Sequence, residues 1–177
     1  GIVVPNLKEI EESLDNIAEK LMGSAFSFER KRDCIEVLCP WGNKFKLHEP
    51  STDFGSIQLG LPYVELSAPP GSSQKIARFY EEVMGATVVI GQRNGAPCAS
   101  ITTGSAQFLH FIETDKPQPD YDGHHVAIYI ADFAGPYDKL RERNLISRES
   151  DEHEWRFIDI IDLDTSELLF QIEHEVR

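Results

Sequence analysis

The feature that most constrains the fold of this chain is an internal repeat, in which one pattern of segments occurs three times in succession. Each copy of roughly 60 residues reads as a strand, a helix and three further strands, judged from alternation in the strands and apolar spacings of three and four in the helix. One helix covers only one face of a four-stranded sheet. The repeat therefore predicts an α+β fold of βαβββ modules, which pair so that their uncovered faces form a curved, open sheet around a groove.

The ends of the three predicted helices are marked by capping residues. Asn6 precedes the first helix, which Gly23 ends, and the second helix ends at Gly85. Asp132 precedes the third helix, which Asn144 ends. Short hairpin turns are predicted at residues 40–43, 94–95 and 162–166. The three copies therefore agree in the order of their elements.

Charge and cysteine content limit the partners and the compartment. The net charge is -13, and the only local basic cluster is the triplet at residues 30–32. A chain this acidic repels phosphate backbones and anionic membrane surfaces, and no apolar run approaches the roughly 20 residues of a membrane span. We therefore expect neither nucleic acid nor a membrane as a partner. Cys34, Cys39 and Cys98 form no CxxC pair, which predicts a reducing, cytoplasmic location.

The opening strand of the third copy, within residues 123–132, has two chemically distinct faces. Val126, Ile128 and Ile130 alternate with His125 and Tyr129, so one face is apolar and the other carries an imidazole and a phenol. The polar face is where chemistry can take place. Without further context, a strand histidine is more often a hydrogen-bonded structural residue, and aromatic residues at strand spacing more often pack.

Four stretches of the chain resemble motifs of the vicinal oxygen chelate superfamily. They are residues 78–85 (RFYEEVMG) after a YVEL strand, residues 125–132 (HVAIYIAD) before a helix, and the strand and turn pieces at residues 39–43 (CPWGN) and 162–166 (DLDTS). The superfamily includes glyoxalase I, extradiol ring-cleaving dioxygenases, fosfomycin-resistance transferases and bleomycin-binding proteins. The resemblance extends over nearly the whole chain, because the βαβββ order recurs in all three copies.

This resemblance implies a glyoxalase/extradiol dioxygenase-like fold in which modules work in pairs. Residues 59–115 and 122–177 would form one paired-module domain, 59–177, around a shared groove that takes a small-molecule substrate. Residues 1–50 would form a single module, whose partner module we expect upstream of the present N-terminus. An unpaired module also gives two chains a reason to associate as a homo-oligomer.

In the superfamily, a metal ion is held in the groove by residues of the first and last strands of each module. By this resemblance His125 occupies the usual histidine position, and His110 lies where a glutamate is more common. Glu173 and Gln171 compete for the carboxylate position. Two histidines and one carboxylate suit a divalent ion, and the expected cofactor is Fe(II), Mn(II) or Zn(II). His110 also reads as an ordinary half-exposed strand histidine, and Glu173 as part of a solvated strand end.

Three classes of function follow from the resemblance. The first is a metal-dependent enzyme, such as a ring-cleaving dioxygenase or a glyoxalase-type lyase or isomerase, that acts on a small organic molecule with adjacent oxygens. Tyr63, Glu65 or His110 would move a proton, and Tyr129 and Trp155 would line the pocket or, for the tyrosine, donate a phenolic hydrogen bond. The second is a metal-free protein of the bleomycin-resistance type that binds a flat aromatic ligand, which a tyrosine in place of the usual histidine at position 63 favours. The third is a scaffold that associates with other subunits.

Overall fold

The computed structural model describes all residues from Gly1 to Arg177 and contains twelve strands and three α-helices. These elements occur as three modules of the order strand, helix and three strands, each with its own four-stranded sheet. The prediction of an α+β fold of repeated βαβββ modules is therefore confirmed. None of the helices combines the length and the apolar character that crossing a membrane requires.

The first module covers the N-terminal part of the chain. Its elements are β1 (Ile2–Val3), α1 (Leu7–Ala18), β2 (Ser27–Arg30), β3 (Ile35–Leu38) and β4 (Lys44–His48). Its sheet has the order β1-β4-β3-β2, with β1 parallel to β4 and the other pairs antiparallel. The side chain of Asn6 accepts hydrogen bonds from two backbone amides of the first turn of α1, as its place before the helix predicts.

The second module has the same connectivity. Its elements are β5 (Tyr63–Ala68), α2 (Ser73–Glu82), β6 (Val88–Arg93), β7 (Ala96–Gly104) and β8 (Gln107–Glu113), and its sheet has the order β5-β8-β7-β6. The start of α2 is capped from a distant strand. The carboxylate of Glu113 accepts hydrogen bonds from the backbone amides of Gly71 and Ser73 and from the Ser73 hydroxyl, and this lowers the pKa of Glu113.

The third module repeats the order once more. Its elements are β9 (His125–Ile128), α3 (Ala134–Glu142), β10 (Ile146–Asp151), β11 (Glu154–Ile161) and β12 (Leu168–Val176), and its sheet has the order β10-β11-β12-β9. Strands β9 and β12 are parallel, so that His125 is the register partner of Glu173 and Val126 that of His174. Asp132 accepts a hydrogen bond from the Gly135 amide just before α3.

Packing divides the chain into two compact units, which are residues 1–64 with 104–108 and residues 65–103 with 109–177. The first unit has a small core around Val4, Leu7, Ile35 and Leu47. The second unit has a larger core that joins the second and third modules. The division of the chain between residues 50 and 59, and a groove shared by residues 59–115 and 122–177, stay predictions.

Helix α2 lies at the centre of the larger core. Phe79 contacts Phe157 of the third sheet with ring centroids 6.0 Å apart, and Tyr80 contacts Phe111 of the second sheet at 5.6 Å. Phe79, Phe111 and Phe157 are fully buried. The apolar face of α2 therefore packs against the third sheet as well as against its own sheet, and both sheets turn their apolar faces to the same core.

Candidate functional site

The predicted catalytic residue Tyr63 lies at the start of β5 and is buried. Its hydroxyl is 2.8 Å from Nε2 of His48, and the two rings are in contact with centroids 5.9 Å apart. The backbone nitrogen of Gly1 donates a hydrogen bond to the Tyr63 carbonyl oxygen at 2.9 Å. His48, which the sequence argument did not select, is thus the side-chain partner of this tyrosine.

Glu65 and His110 lie on β5 and β8 of the second sheet. The Nε of Arg93 donates to Glu65 at 2.6 Å, which neutralises the carboxylate. Nδ1 of His110 is 2.9 Å from the Ser100 hydroxyl. Burial, followed by the positive charge of Arg93, lowers the pKa of His110 to about 4. His110 is therefore a neutral imidazole at pH 7.

His125 and Glu173 are neighbours on the polar face of the third sheet, and His125 is exposed. One oxygen of Glu173 is 3.5 Å from Arg156, whose guanidinium also contacts Glu154 at 2.9 Å and Glu175 at 2.6 Å. Arg177 contacts Glu154 at 3.1 Å and also pairs with Glu175. The carboxylates near His125 are therefore already compensated by two guanidinium groups.

The two remaining predicted residues lie near this network. The amide of Gln171 donates to Asp159 at 2.9 Å, across the β11–β12 pair. Tyr129 is exposed. The hydrogen bond between Tyr129 and Arg177 is the largest cause of the raised pKa of Arg177. Both side chains are thus engaged in polar contacts within the third module.

The predicted metal ligands come from two different sheets. His110 belongs to the second sheet, whereas His125, Gln171 and Glu173 belong to the third. No group of three or more His, Cys, Asp or Glu side chains in the chain is arranged to hold a metal ion. The metal-ligand roles of His110, His125, Gln171 and Glu173 therefore stay predictions.

A cavity of about 340 Å³ lies instead on the apolar side of the third sheet, and we call it the central cavity. Its walls come from α2 and the turn after it, β7, β8, the end of β9 and the segment after it, α3 and β12. They are mostly apolar, and include Val83, Met84, Ile101, Leu109, Ile128 and Ile130. Its polar contributors include Tyr80, His174, Tyr129, Asp132 and Lys139.

Tyr80 and His174 form a buried pair in the wall of the central cavity. The Tyr80 hydroxyl is 2.6 Å from Nε2 of His174, and Nδ1 of His174 is 2.9 Å from the Ile172 carbonyl oxygen. A carbonyl oxygen can only accept, so Nδ1 carries the proton and Nε2 accepts from the phenol. The imidazole also stacks on Phe157 with centroids 4.1 Å apart.

Burial keeps this pair uncharged. It lowers the pKa of His174 to about 4 and raises the pKa of Tyr80. The Tyr80 hydroxyl donates its hydrogen bond to the imidazole, and its oxygen can still accept a hydrogen bond. The wall therefore contains a neutral polar pair amid mostly apolar side chains.

His174 was not among the predicted site residues, because it lies between two glutamates, in a stretch that reads as a solvated strand end. The signal that locates it is strand alternation, since Phe170, Ile172, His174 and Val176 share one face of β12. His174 is fully buried, whereas Gln171 and Glu173 lie on the opposite face.

Comparison with known proteins finds similar solved structures, while no protein-family profile and no curated protein matches the chain. A glyoxalase family protein from Bacillus anthracis is 20% identical over 69% of this chain and 95% of its own, with a TM-score of 0.47. One from Enterococcus faecalis is 18% identical over 66% and 94%, with a TM-score of 0.42. The fosfomycin resistance protein FosX from Listeria monocytogenes, complexed with Mn(II) and sulfate, is 14% identical over 66% and 89%, with a TM-score of 0.44.

Proposed function

We propose that this chain binds a small, largely apolar organic molecule in the central cavity, and that it does so without a metal ion. The observation that carries the proposal is the combination of an apolar cavity of about 340 Å³ with a buried, uncharged Tyr80–His174 pair in its wall. Ligand sites typically combine apolar walls with a few placed polar groups, in cavities upward of about 300 Å³.

The chemistry of the walls defines the class of ligand. Ile101, Leu109 and Ile130 favour a hydrocarbon or aromatic body, since transfer of apolar surface from water is worth about 25 cal/mol per Å². The Tyr80 oxygen favours a ligand that offers a hydroxyl or N–H donor. An anionic ligand is disfavoured, because burying an unpaired charge beside a neutral imidazole carries a large desolvation cost.

Lys139 and Asp132 give the cavity a polar rim. The Lys139 ammonium donates to the Glu82 carbonyl oxygen at 2.8 Å, and Asp132 accepts from the Gly135 amide. Both side chains are exposed, so their charges lie at the rim and not in the apolar interior of the cavity. We therefore expect a neutral ligand, such as a phenol or a small aromatic alcohol.

Titration with 1-naphthol, followed by its own fluorescence, tests the proposal. The variant Ala86→Phe places a ring in the cavity and should weaken binding at least about tenfold, or about 1.4 kcal/mol. Thr87→Phe is the matched control, because Thr87 is exposed and does not line the cavity. Absence of saturable binding to the wild type, or equal loss in both variants, would contradict the proposal.

A second candidate is a metal-dependent enzyme of the vicinal oxygen chelate type, with ring-cleaving dioxygenase as its specific form. The pairing of exposed His125 with Glu173 on the polar face favours it, because an imidazole and a carboxylate are ligands that Fe(II), Mn(II) and Zn(II) share. Metal analysis of protein purified without chelator, repeated on His125→Ala, tests this candidate. Turnover of catechols, or of methylglyoxal with glutathione, would then identify the reaction.

A further inference from the structure

The outer edges of the three sheets differ, although the three modules share one topology. Each sheet ends in the second strand of its module, which is β2, β6 or β10. An edge strand offers unpaired backbone groups to any other strand, and charged side chains or proline are its usual protection. β2 carries two charged residues and β10 carries three. β6 has no proline, and its one charged residue, Arg93, is its last. β6 is therefore the least protected of these three edges.

The middle of β6 exposes apolar side chains. Val89 and Ile90 are 59% and 48% exposed, and the next residue, Gly91, is exposed as well. Ile90 is the register partner of Ala99, which is fully buried under α2, so the Ile90 side chain lies on the core face of the sheet at its outer border. A strand that placed an apolar side chain beside Ile90 would extend this core face and remove apolar surface from water.

The backbone of β6 alternates between groups that bond to β7 and groups that face outward. The amide of Thr102 donates to the Thr87 carbonyl oxygen at 2.9 Å, and the β6–β7 register continues from there without a shift. Hydrogen-bonded pairs alternate along an antiparallel ladder, so every second residue after Thr87 bonds to β7. The residues between them direct both backbone groups to the open edge, and these are Val88, Ile90 and Gln92.

The distribution of charge indicates that a second copy of the chain completes this edge. The chain has 30 Asp and Glu residues and a net charge of -13, yet residues 83–112, which include β6 and β7, contain neither Asp nor Glu. We call residues 83–112 the acid-free stretch. Two acidic copies repel each other across most of their surfaces and approach with least repulsion where neither carries a carboxylate. A basic protein would instead be attracted to the acidic surfaces elsewhere.

We propose that the β6 strands of two copies pair antiparallel about a two-fold axis at Ile90 and join two four-stranded sheets into one continuous sheet. In this register Ile90 lies opposite its own counterpart, and Val88 lies opposite Gln92. Every outward N–H then meets an outward C=O, and the two isoleucine side chains contact each other on the core face. Pairing through single strands buries less surface than a standard interface, so we expect a dissociation constant of about 100 µM.

Sedimentation velocity measures this association directly. Between about 5 µM and about 500 µM the wild type should change from monomer to mostly dimer. Added sodium chloride should strengthen the dimer, because it screens the repulsion between two acidic chains and the paired strands are held by backbone and apolar contacts. A wild type that stays monomeric at about 500 µM, or a dimer that dissociates when salt is added, would overturn the proposal.

Two variants and a control locate the contact. Ile90→Lys places like charges opposite each other and should weaken association at least about tenfold. Leu168→Lys is the matched control, because Leu168 is a strand residue outside β6 that is 50% exposed, and its substitution changes the net charge equally. Gln92→Pro removes one outward N–H, which an edge strand tolerates, and should weaken association at least about threefold. Equal association of the two lysine variants would overturn the proposal.

Amide hydrogen exchange of the wild type tests the register without any substitution. In the monomer the outward amides of Val88, Ile90 and Gln92 should exchange rapidly, whereas those of Val89 and Gly91 are protected by β7. Between about 5 µM and about 500 µM, exchange of the outward amides should slow at least about threefold, and that of the inward amides should change less. If the protein dimerised while the outward amides kept their exchange rates, the two copies would meet at another surface and the proposal would be wrong.

Discussion

The two faces of the third sheet differ in almost every physical respect, although they are made by alternate residues of the same strands. On one face, Phe157, His174 and Val176 are completely buried in the core under α2. On the other, Arg156 contacts three glutamates, and His125 is exposed. Two histidines one residue out of register on neighbouring strands therefore have opposite environments.

This difference shows where binding chemistry is available. On the polar face, Arg156 and Arg177 already satisfy Glu154, Glu173 and Glu175, and a ligand would have to displace ion pairs there. On the apolar face, a neutral polar pair lies beside a cavity. A run of alternating polar residues in a strand indicates a face that is in contact with water or with charged side chains. A single polar residue on the apolar face lowers the stability of the fold unless it has a hydrogen-bond partner.

The largest effect is expected for His174→Ala. The substitution removes a buried ring that stacks on Phe157 at 4.1 Å and leaves the Tyr80 hydroxyl without its partner. We expect a loss of about 4 kcal/mol in the free energy of unfolding, from the cavity and the unmade hydrogen bond together. Urea denaturation of both proteins measures it.

Tyr80→Phe dissects that loss. It keeps the ring and removes only the hydroxyl, so the unfolding free energy should fall by about 1–3 kcal/mol. If both variants were as stable as the wild type, the buried pair would not be part of the core, and the contrast between the two faces would be lost.

Stability should also depend on pH through the same histidine. The pKa of His174 is about 4 in the folded chain, against an ordinary value of 6.5. As the pH falls below 6.5 the unfolded chain binds the proton and the folded chain does not, so stability present above that pH is lost progressively towards pH 4. Between pH 7 and pH 5, one such histidine should cost about 2 kcal/mol.

Comparison of the wild type with two histidine variants shows which residue causes this pH dependence. The unfolding free energy of each protein is measured at pH 7, 6 and 5. His110 has a pKa lowered in the same direction and adds to the slope of the wild type. His174→Gln should lose its own share of the slope, and His110→Gln should lose the other share. If the slope were unchanged in His174→Gln, the pH dependence of the unfolding free energy would come from groups other than His174.

An intermediate effect is expected for Arg156→Met on the polar face. This guanidinium pairs with Glu154 and Glu175, whose side chains are only 14% and 10% exposed. Removing it leaves partly buried carboxylates facing one another with Arg177 alone, which should cost about 2 kcal/mol of unfolding free energy. Lys8→Met is the matched control, since the Lys8–Glu12 pair is exposed and should cost under about 0.5 kcal/mol.

Much of the fold follows from local patterns that the sequence displays. Asn6 and Asp132 accept hydrogen bonds from backbone amides at the starts of α1 and α3, as expected for residues of these types just before a helix. The spacing of apolar residues locates α1 and α2. The cap of α2 could not be predicted in this way, because it comes from Glu113, 40 residues further along the chain. Sequence spacing carries no information about such long-range partners.

The candidate site was harder to predict, for a related reason. His125 was selected because its strand has one polar face, and it does lie on that face beside Glu173. The central cavity depends on α2 packing against β12, a contact between modules that alternation within one strand cannot show. Tyr80 and His174 are 94 residues apart in sequence, and only the packed core brings them within 2.6 Å.

The smallest effect is expected for His125→Ala, and it tests the other side of the contrast. The imidazole is exposed, so the unfolding free energy should change by less than about 0.5 kcal/mol. Binding of 1-naphthol in the central cavity should also be unchanged, since His125 does not line it. A loss of 1 kcal/mol or more, or a fall in naphthol affinity, would show that the polar face is coupled to the core. Loss of metal uptake with stability unchanged would instead favour the enzyme candidate, because it would make His125 a ligand without a structural role.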